Sequence, residues 1–144
     1  MNQRKLAAPQ WLLLLALFLF AGCASSKPIN KSELQSQIKS AVSLSAETRL
    51  FIDHVRQNLA TVQYSEAHAH YLEEQLAEIE KSTRNRTATT DTQSSLNAYH
   101  KQVNDLQSSL SAIPHEIRDL SKLAMTEQKI EKIQGELEAI NSSL

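Results

Sequence analysis

Residues 93–113, QSSLNAYHKQVNDLQSSLSAI, decide the fold class of this chain. Their large side chains follow one another at steps of three or four residues, the spacing of a helix face that packs in a left-handed coiled-coil seam. These residues are Leu96, Tyr99, Val103, Leu106, Leu110 and Ile113. The stretch therefore predicts a long amphipathic helix with one buried face.

The same spacing recurs upstream. Apolar or small residues repeat at steps of four and three up to Val62, slip by one step near Ser65, and resume from Ala69 to Ile79. The first run consists of Leu34, Ile38, Ala41, Ser45, Thr48, Ile52, Val55, Leu59 and Val62. Because no Gly or Pro marks the slip, the pattern favours one continuous helix across it.

A further apolar stripe follows Pro114. Proline lacks a backbone N–H and clashes with the preceding helical turn, so Pro114 must either kink a helix or begin one. The stripe after it consists of Ile117, Leu120, Leu123, Ile130, Ile133, Leu137, Ile140 and Leu144.

Residues 82–92, STRNRTATTDT, are the clearest interruption between the helical runs. They separate residues 31–82 from residues 92–143, two arms of 52 residues that would each be about 78 Å long as a helix. The sequence therefore predicts an all-α fold, a long antiparallel helical hairpin with heptad packing that turns near 83–91. If the chain breaks near 63–65 and near 112–114, the alternative is an up-down four-helix bundle.

The composition agrees with a narrow helical core. Beyond residue 22, Gly135 is the only glycine, and Pro28 and Pro114 are the only prolines, so the chain lacks the turn formers of a β-sandwich or barrel. Without Arg4 and Lys5, 13 basic and 16 acidic residues remain, a net charge of −3. A weakly acidic chain has no overall attraction to nucleic acid, which excludes nucleic acid as a partner.

The first 22 residues have the organisation of a secretory signal. Arg4 and Lys5 are basic, residues 11–21 form an apolar run of 11, and small residues follow. The alternative, a membrane-spanning anchor, requires about 20 apolar residues. The run reaches only 14 when Gly22, Cys23 and Ala24 are included, so a cleaved leader fits better.

Leu19-Phe20-Ala21-Gly22-Cys23 resembles the lipobox of bacterial lipoproteins, although Phe20 stands where the family usually has leucine. The resemblance implies cleavage between Gly22 and Cys23, then a diacylglyceryl thioether and an N-acyl chain on Cys23. It divides the chain into a signal peptide (1–22), a lipidated tether (23–30) and a helical domain (31–144). Ala24 follows the cysteine instead of the aspartate that commonly retains lipoproteins in the inner membrane. An outer-membrane anchor facing the periplasm is therefore implied.

Some of the histidines are candidate metal ligands. On a helix, Glu66, His70 and Glu74 lie along one face, and His100 of the other arm is a candidate fourth ligand for a metal ion. However, the Glu-x-x-His pairs of di-iron bundles are absent, and a solvated helix face explains the same residues. The expectation is therefore no metal or other cofactor, with a metal-binding or small-ligand-binding bundle as the alternative.

Two arginines, Arg84 and Arg86, lie in the predicted turn. In a hairpin tethered at its base, this turn is the point farthest from the membrane, which makes these residues candidate contacts with a partner. Glu80 and Arg84 are expected to pair if the helix extends that far. The chain has no phosphate-binding loop and no nucleophile turn, so a non-enzymatic envelope lipoprotein is predicted. It would act through a protein partner or through self-association along its helix seams.

Overall fold

A computed structural model describes residues 27–144, so the predicted leader, its cleavage site and Cys23 lie outside the described residues. The described part contains four helices and no strand. They are α1 (Lys31–Arg56), α2 (Val62–Lys81), α3 (Gln93–Glu116) and α4 (Leu120–Ser143). Within this part, no helix is long and apolar enough to cross a membrane.

Successive helices run up and down to form a bundle. Helices α1 and α3 are central to it, because each contacts the other three helices, and the most extensive packing is between α1 and α4. The direction of packing is visible in the side chains: Arg49 of α1 contacts Glu131 of α4, whereas Arg56, further along α1, contacts the earlier residue Glu127. Helices α2 and α4 occupy opposite sides of the bundle.

The all-α prediction is confirmed, and the turn predicted near 83–91 lies between α2 and α3. Each arm of the expected hairpin consists of two helices, as in the four-helix alternative. The breaks lie at residues 57–61 and 117–119, and the positions expected for them near 63–65 and 112–114 are wrong. Pro114 lies inside the last turn of α3, which continues to Glu116.

The core is built from the predicted stripes. The largest fully buried side chains come from all four helices: Leu34, Ile38, Ile52, Leu72, Leu76, Leu96, Tyr99, Leu106, Leu110, Ile113 and Leu123 are among them. The first stripe is buried only as far as Val55, because Leu59 and Val62 are exposed where α1 ends and α2 begins. Removal of these side chains from water is the main stabilising contribution to the bundle.

Polar side chains determine where three of the helices begin. The Oδ1 atom of Asn30 accepts the N–H of Glu33, and the Glu33 carboxylate accepts the N–H of Asn30, which makes a capping box at the start of α1. Thr61 caps α2 and Asp119 caps α4 through bonds to N–H groups of the first turn. Each cap satisfies N–H groups that lack a partner within the helix.

Candidate functional site between α1 and α2

The residues that precede α1 are fastened to the connection between α2 and α3. The N–H of Ile29 donates to the carbonyl oxygen of Thr87 at 2.8 Å. The guanidinium of Arg86 donates to the carbonyl oxygen of Lys27 from Nη2 at 2.8 Å and from Nε at 3.2 Å, and it pairs with Glu33 at 3.3 Å. The segment that precedes α1 therefore docks on the bundle itself.

This docking corrects the expected place of the predicted arginine contact site. In an up-down bundle, the start of α1 and the α2–α3 connection lie at the same end, so Arg84 and Arg86 are beside residues 27–30 and not at the opposite end. Arg86 is engaged by Lys27 and Glu33. Arg84 makes the predicted pair with Glu80, through two bonds of 2.8 and 3.2 Å. The hydrogen bond to Glu80, and then the charge of Glu80, raise the pKa of Arg84.

The structure does not bring the candidate metal ligands together. Glu66, His70 and Glu74 are exposed on α2, and the Nδ1 atom of His70 lies 3.1 Å from the carboxylate of Glu73. His100 lies elsewhere, with Nε2 3.1 Å from the hydroxyl of Thr83. Within residues 27–144, no group of three or more His, Cys, Asp or Glu side chains is placed to hold a metal ion.

A different histidine is the centre of an aromatic cluster. The ring of His68 stacks on Tyr64 with centroids 5.6 Å apart and on Tyr71 with centroids 5.7 Å apart, at interplanar angles of 9° and 26°. Phe51 of α1 meets the same ring edge-on at 4.7 Å. We call Tyr64, His68 and Tyr71 the aromatic column. Their positions at i, i+4 and i+7 place them on one face of α2.

The aromatic column faces an acidic side chain of α1. Nε2 of His68 lies 4.0 Å from Oε1 of Glu47, whose side chain is 49% exposed. Phe51 is buried beneath the column, whereas Tyr64 and Tyr71 are 56% and 46% exposed. The site therefore combines a buried aromatic floor, two exposed aromatic rings and a carboxylate that remains in contact with water.

A groove of about 500 Å³ continues from Tyr71 between α1 and α2. Three small side chains of α1, Ser36, Ser40 and Ser43, form much of one wall, and Gln75 and Ile79 of α2 lie opposite. We call this cavity, together with the aromatic column and Glu47, the α1/α2 site.

Helix α1 contributes Glu47 and Lys39 to the lining of the groove, and α2 is acidic overall. The helix contains five glutamates and one lysine, a net charge of −4 with neutral histidines. Glu74 and Glu78 follow Tyr71 by one and two helical turns. Among residues 27–144, Lys39 is the only cation that lines the groove, and it lies two turns along α1 from Glu47. Because Glu47 lies beside His68, the end of the groove nearest the aromatic column is negative.

Sequence reasoning missed this site. The sequence pattern indicated candidate metal ligands on the face of His70 instead. The spacing of Tyr64, His68 and Tyr71 was a signal for a shared face, but the contribution of Phe51 and Glu47 depends on the register of α1 against α2. Comparison with protein family models, curated proteins and solved structures gives no match.

Proposed function

We propose that this chain is a lipid-anchored lipoprotein of the cell envelope, held by acyl chains on Cys23, whose helical bundle binds a protein partner without catalysing a reaction. The observation that carries the interaction role is the α1/α2 site. A bundle that served only as a spacer would gain stability by covering Tyr64 and Tyr71, yet both rings are about half exposed beside an open groove.

The anchor part of the proposal is supported by the lipobox-like residues 19–23 and by the docked residues after them. Cys23 precedes Lys27 by four residues, which span at most about 14 Å. Because Lys27 is bonded to Arg86, a lipid on Cys23 would keep the end of the bundle that contains the α2–α3 connection close to the membrane. Two or more acyl chains hold a protein stably in a bilayer.

The location proposed is the outer membrane, with the bundle in the periplasm, because Ala24 follows the cysteine. In this arrangement the aromatic column, near the start of α2, lies towards the end of the bundle away from the anchor. A partner embedded in the envelope or spanning the periplasm would reach the α1/α2 site from the side.

The anchor is tested by labelling cells with a palmitate analogue and separating membranes from soluble proteins. We expect the natural chain to carry the label and to fractionate with the outer membrane. A Cys23→Ser variant should carry no label and keep its leader, whereas the neighbouring Ser25→Ala change should have no effect. A natural chain without label, or a labelled Cys23→Ser variant, would contradict the anchor.

The interaction role is tested by comparing proteins that co-purify with two glutamine variants of the full-length chain. Gln75→Arg places a bulky cation in the groove, and Gln128→Arg makes the same change at an exposed position of α4. We expect one or more envelope proteins to be lost from the Gln75→Arg sample only. Equal recovery from both variants and the natural chain would oppose a partner at this site.

A further inference from the structure

The α1/α2 site has the chemistry of a receptor for a cationic side chain. The exposed faces of Tyr64 and Tyr71 carry the negative part of the aromatic quadrupole, which attracts a cation placed over the ring. Glu47 adds a full negative charge within the same cluster, and its only charged or ionisable contact within residues 27–144 is His68 at 4.0 Å. The tyrosine rings and the carboxylate therefore both favour a cationic ligand.

The site distinguishes between arginine and lysine by shape. A guanidinium is planar, so it stacks on a tyrosine ring while its edge donates two hydrogen bonds to a carboxylate. Tyr71 and Glu47 offer these two elements from adjacent helices at the mouth of one groove. An ammonium group is compact and strongly hydrated, so it would use the charge of Glu47 but not the flat surface of the ring.

The groove beside this cluster suits a polypeptide. Its volume of about 500 Å³ and its wall of Ser36, Ser40 and Ser43 leave space for a backbone and small side chains, and the serine hydroxyls can bond to backbone groups. The net charge of −4 on α2 is partly offset by Arg84, which pairs with Glu80, and the remaining acidic excess attracts a basic segment over a longer range. Lys39, at the other end of the groove, favours an acidic or uncharged residue there.

We propose that the α1/α2 site binds a peptide segment of a partner protein through an arginine, whose guanidinium stacks on Tyr71 and pairs with Glu47 while the segment continues along the serine-lined groove. This inference rests on the proposed interaction role and names the class of partner: a protein that presents an arginine on an exposed segment. Lysine-rich segments bind more weakly at the same place.

The test uses a displayed library of random peptides about 12 residues long, selected on the full-length protein in detergent and captured through a carboxyl-terminal tag. We expect the selected peptides to share an arginine. Their binding should weaken about tenfold with Glu47→Lys and with Tyr71→Ala, and Tyr71→Phe should retain it because phenylalanine keeps the ring. Met125→Ala, at an exposed apolar position on α4, is the matched control and should bind as the natural protein does.

Three results would overturn the proposal. The selected peptides lack basic residues, or replacing their arginine with lysine leaves the affinity unchanged, or neither Glu47→Lys nor Tyr71→Ala weakens binding. Circular dichroism of each variant separates loss of binding from loss of fold, and Tyr71→Phe provides a second variant that keeps the surface. If Gln75→Arg still removes an envelope partner while no arginine is selected, the interaction role survives and only the arginine is excluded.

Discussion

Helix α1 meets its two neighbours in different ways. Against α4 it packs most extensively and forms ion pairs from Arg49 to Glu131 and from Arg56 to Glu127, although a groove of about 450 Å³ opens between Val42 and Glu138. Against α2 it forms an open seam, with small serines, an aromatic column and a groove of about 500 Å³. One side of the helix thus stabilises the bundle, while the other side leaves aromatic and acidic groups accessible to a ligand.

The two seams should differ most when a large side chain is truncated. Ile130 of α4 is fully buried, so Ile130→Ala should lower the free energy of unfolding by about 2–5 kcal/mol, because a cavity remains and apolar contacts are lost. Tyr71→Ala in the open seam should change it by about 0.5 kcal/mol or less. Urea unfolding followed by circular dichroism measures both, and equal losses would show that the open seam is structural.

Removing a buried polar group that lacks a good hydrogen-bond partner should raise the free energy of unfolding instead of lowering it. Burial raises the pKa of Tyr99 and a weaker interaction with Thr83 lowers it, and no hydrogen bond of normal geometry reaches the Tyr99 hydroxyl within residues 27–144. Tyr99→Phe removes that group without leaving a large cavity, so it should raise the free energy of unfolding by about 1 kcal/mol. Thermal unfolding at neutral pH checks the sign, and a destabilised variant would contradict the unpartnered hydroxyl.

The same tyrosine predicts a dependence on alkaline pH. Because the pKa of Tyr99 is raised in the folded protein, the folded state keeps its proton at pH values where the unfolded chain has lost it. Stability should therefore fall as the pH rises above the ordinary tyrosine pKa of about 10. The fall should be shallower in Tyr99→Phe than in the natural protein, measured in the same buffers, and parallel curves would remove Tyr99 as the cause.

Removal of a charged side chain should reveal a smaller difference in stability between the two seams. Arg49→Ala breaks its pair with Glu131 and its bond to Gln134, and it should cost about 0.2–1 kcal/mol because the pair is partly exposed. Glu47→Ala makes the same truncation on the other side of α1 and should be nearly neutral in the absence of a ligand. Urea unfolding of both variants and of the natural protein tests this. A larger loss of stability in Glu47→Ala than in Arg49→Ala would reverse the assignment of the seams.

The smallest expected effect is a weakening of the docked segment before α1 in acid. The N–H of Asn30, and to a lesser extent Arg86, lower the pKa of Glu33, so the carboxylate stabilises the folded form above its ordinary pKa. This contribution is lost as the pH falls through the lowered pKa. Hydrogen exchange of the Ile29 amide should therefore become less protected in acid, relative to amides in the middle of α3, and Glu33→Gln should lose protection already at neutral pH.

The stripes and the central turn could be predicted from the sequence because they depend on local spacing. The break after α1 could not, because the heptad pattern extends through Leu59 and Val62 although both are exposed. Local signals decide the break: Asn58 adopts a positive φ of 57°, and Thr61 caps α2. These signals were weaker than the apolar periodicity, so the sequence favoured a continuous helix.

The contacts that define the two ends and the open seam depend on the helix breaks. A continuous hairpin places residues 27–30 and the 82–92 connection at opposite ends, whereas four helices bring Ile29 to Thr87. The pairing of Phe51 and Glu47 with His68 likewise requires the register of α1 against α2. Neither contact has a signature in the local sequence, and this is why the arginines were misplaced and the aromatic column was missed.

The most direct test of the open seam as the partner site is photo-crosslinking in living cells. A photoreactive amino acid is placed at position 75, in the groove, and separately at position 128, an exposed glutamine on α4. We expect a discrete adduct with an envelope protein from position 75 only, lost when Glu47→Lys is added. Adducts of equal yield from both positions, or an adduct only from position 128, would contradict the assignment of the α1/α2 site.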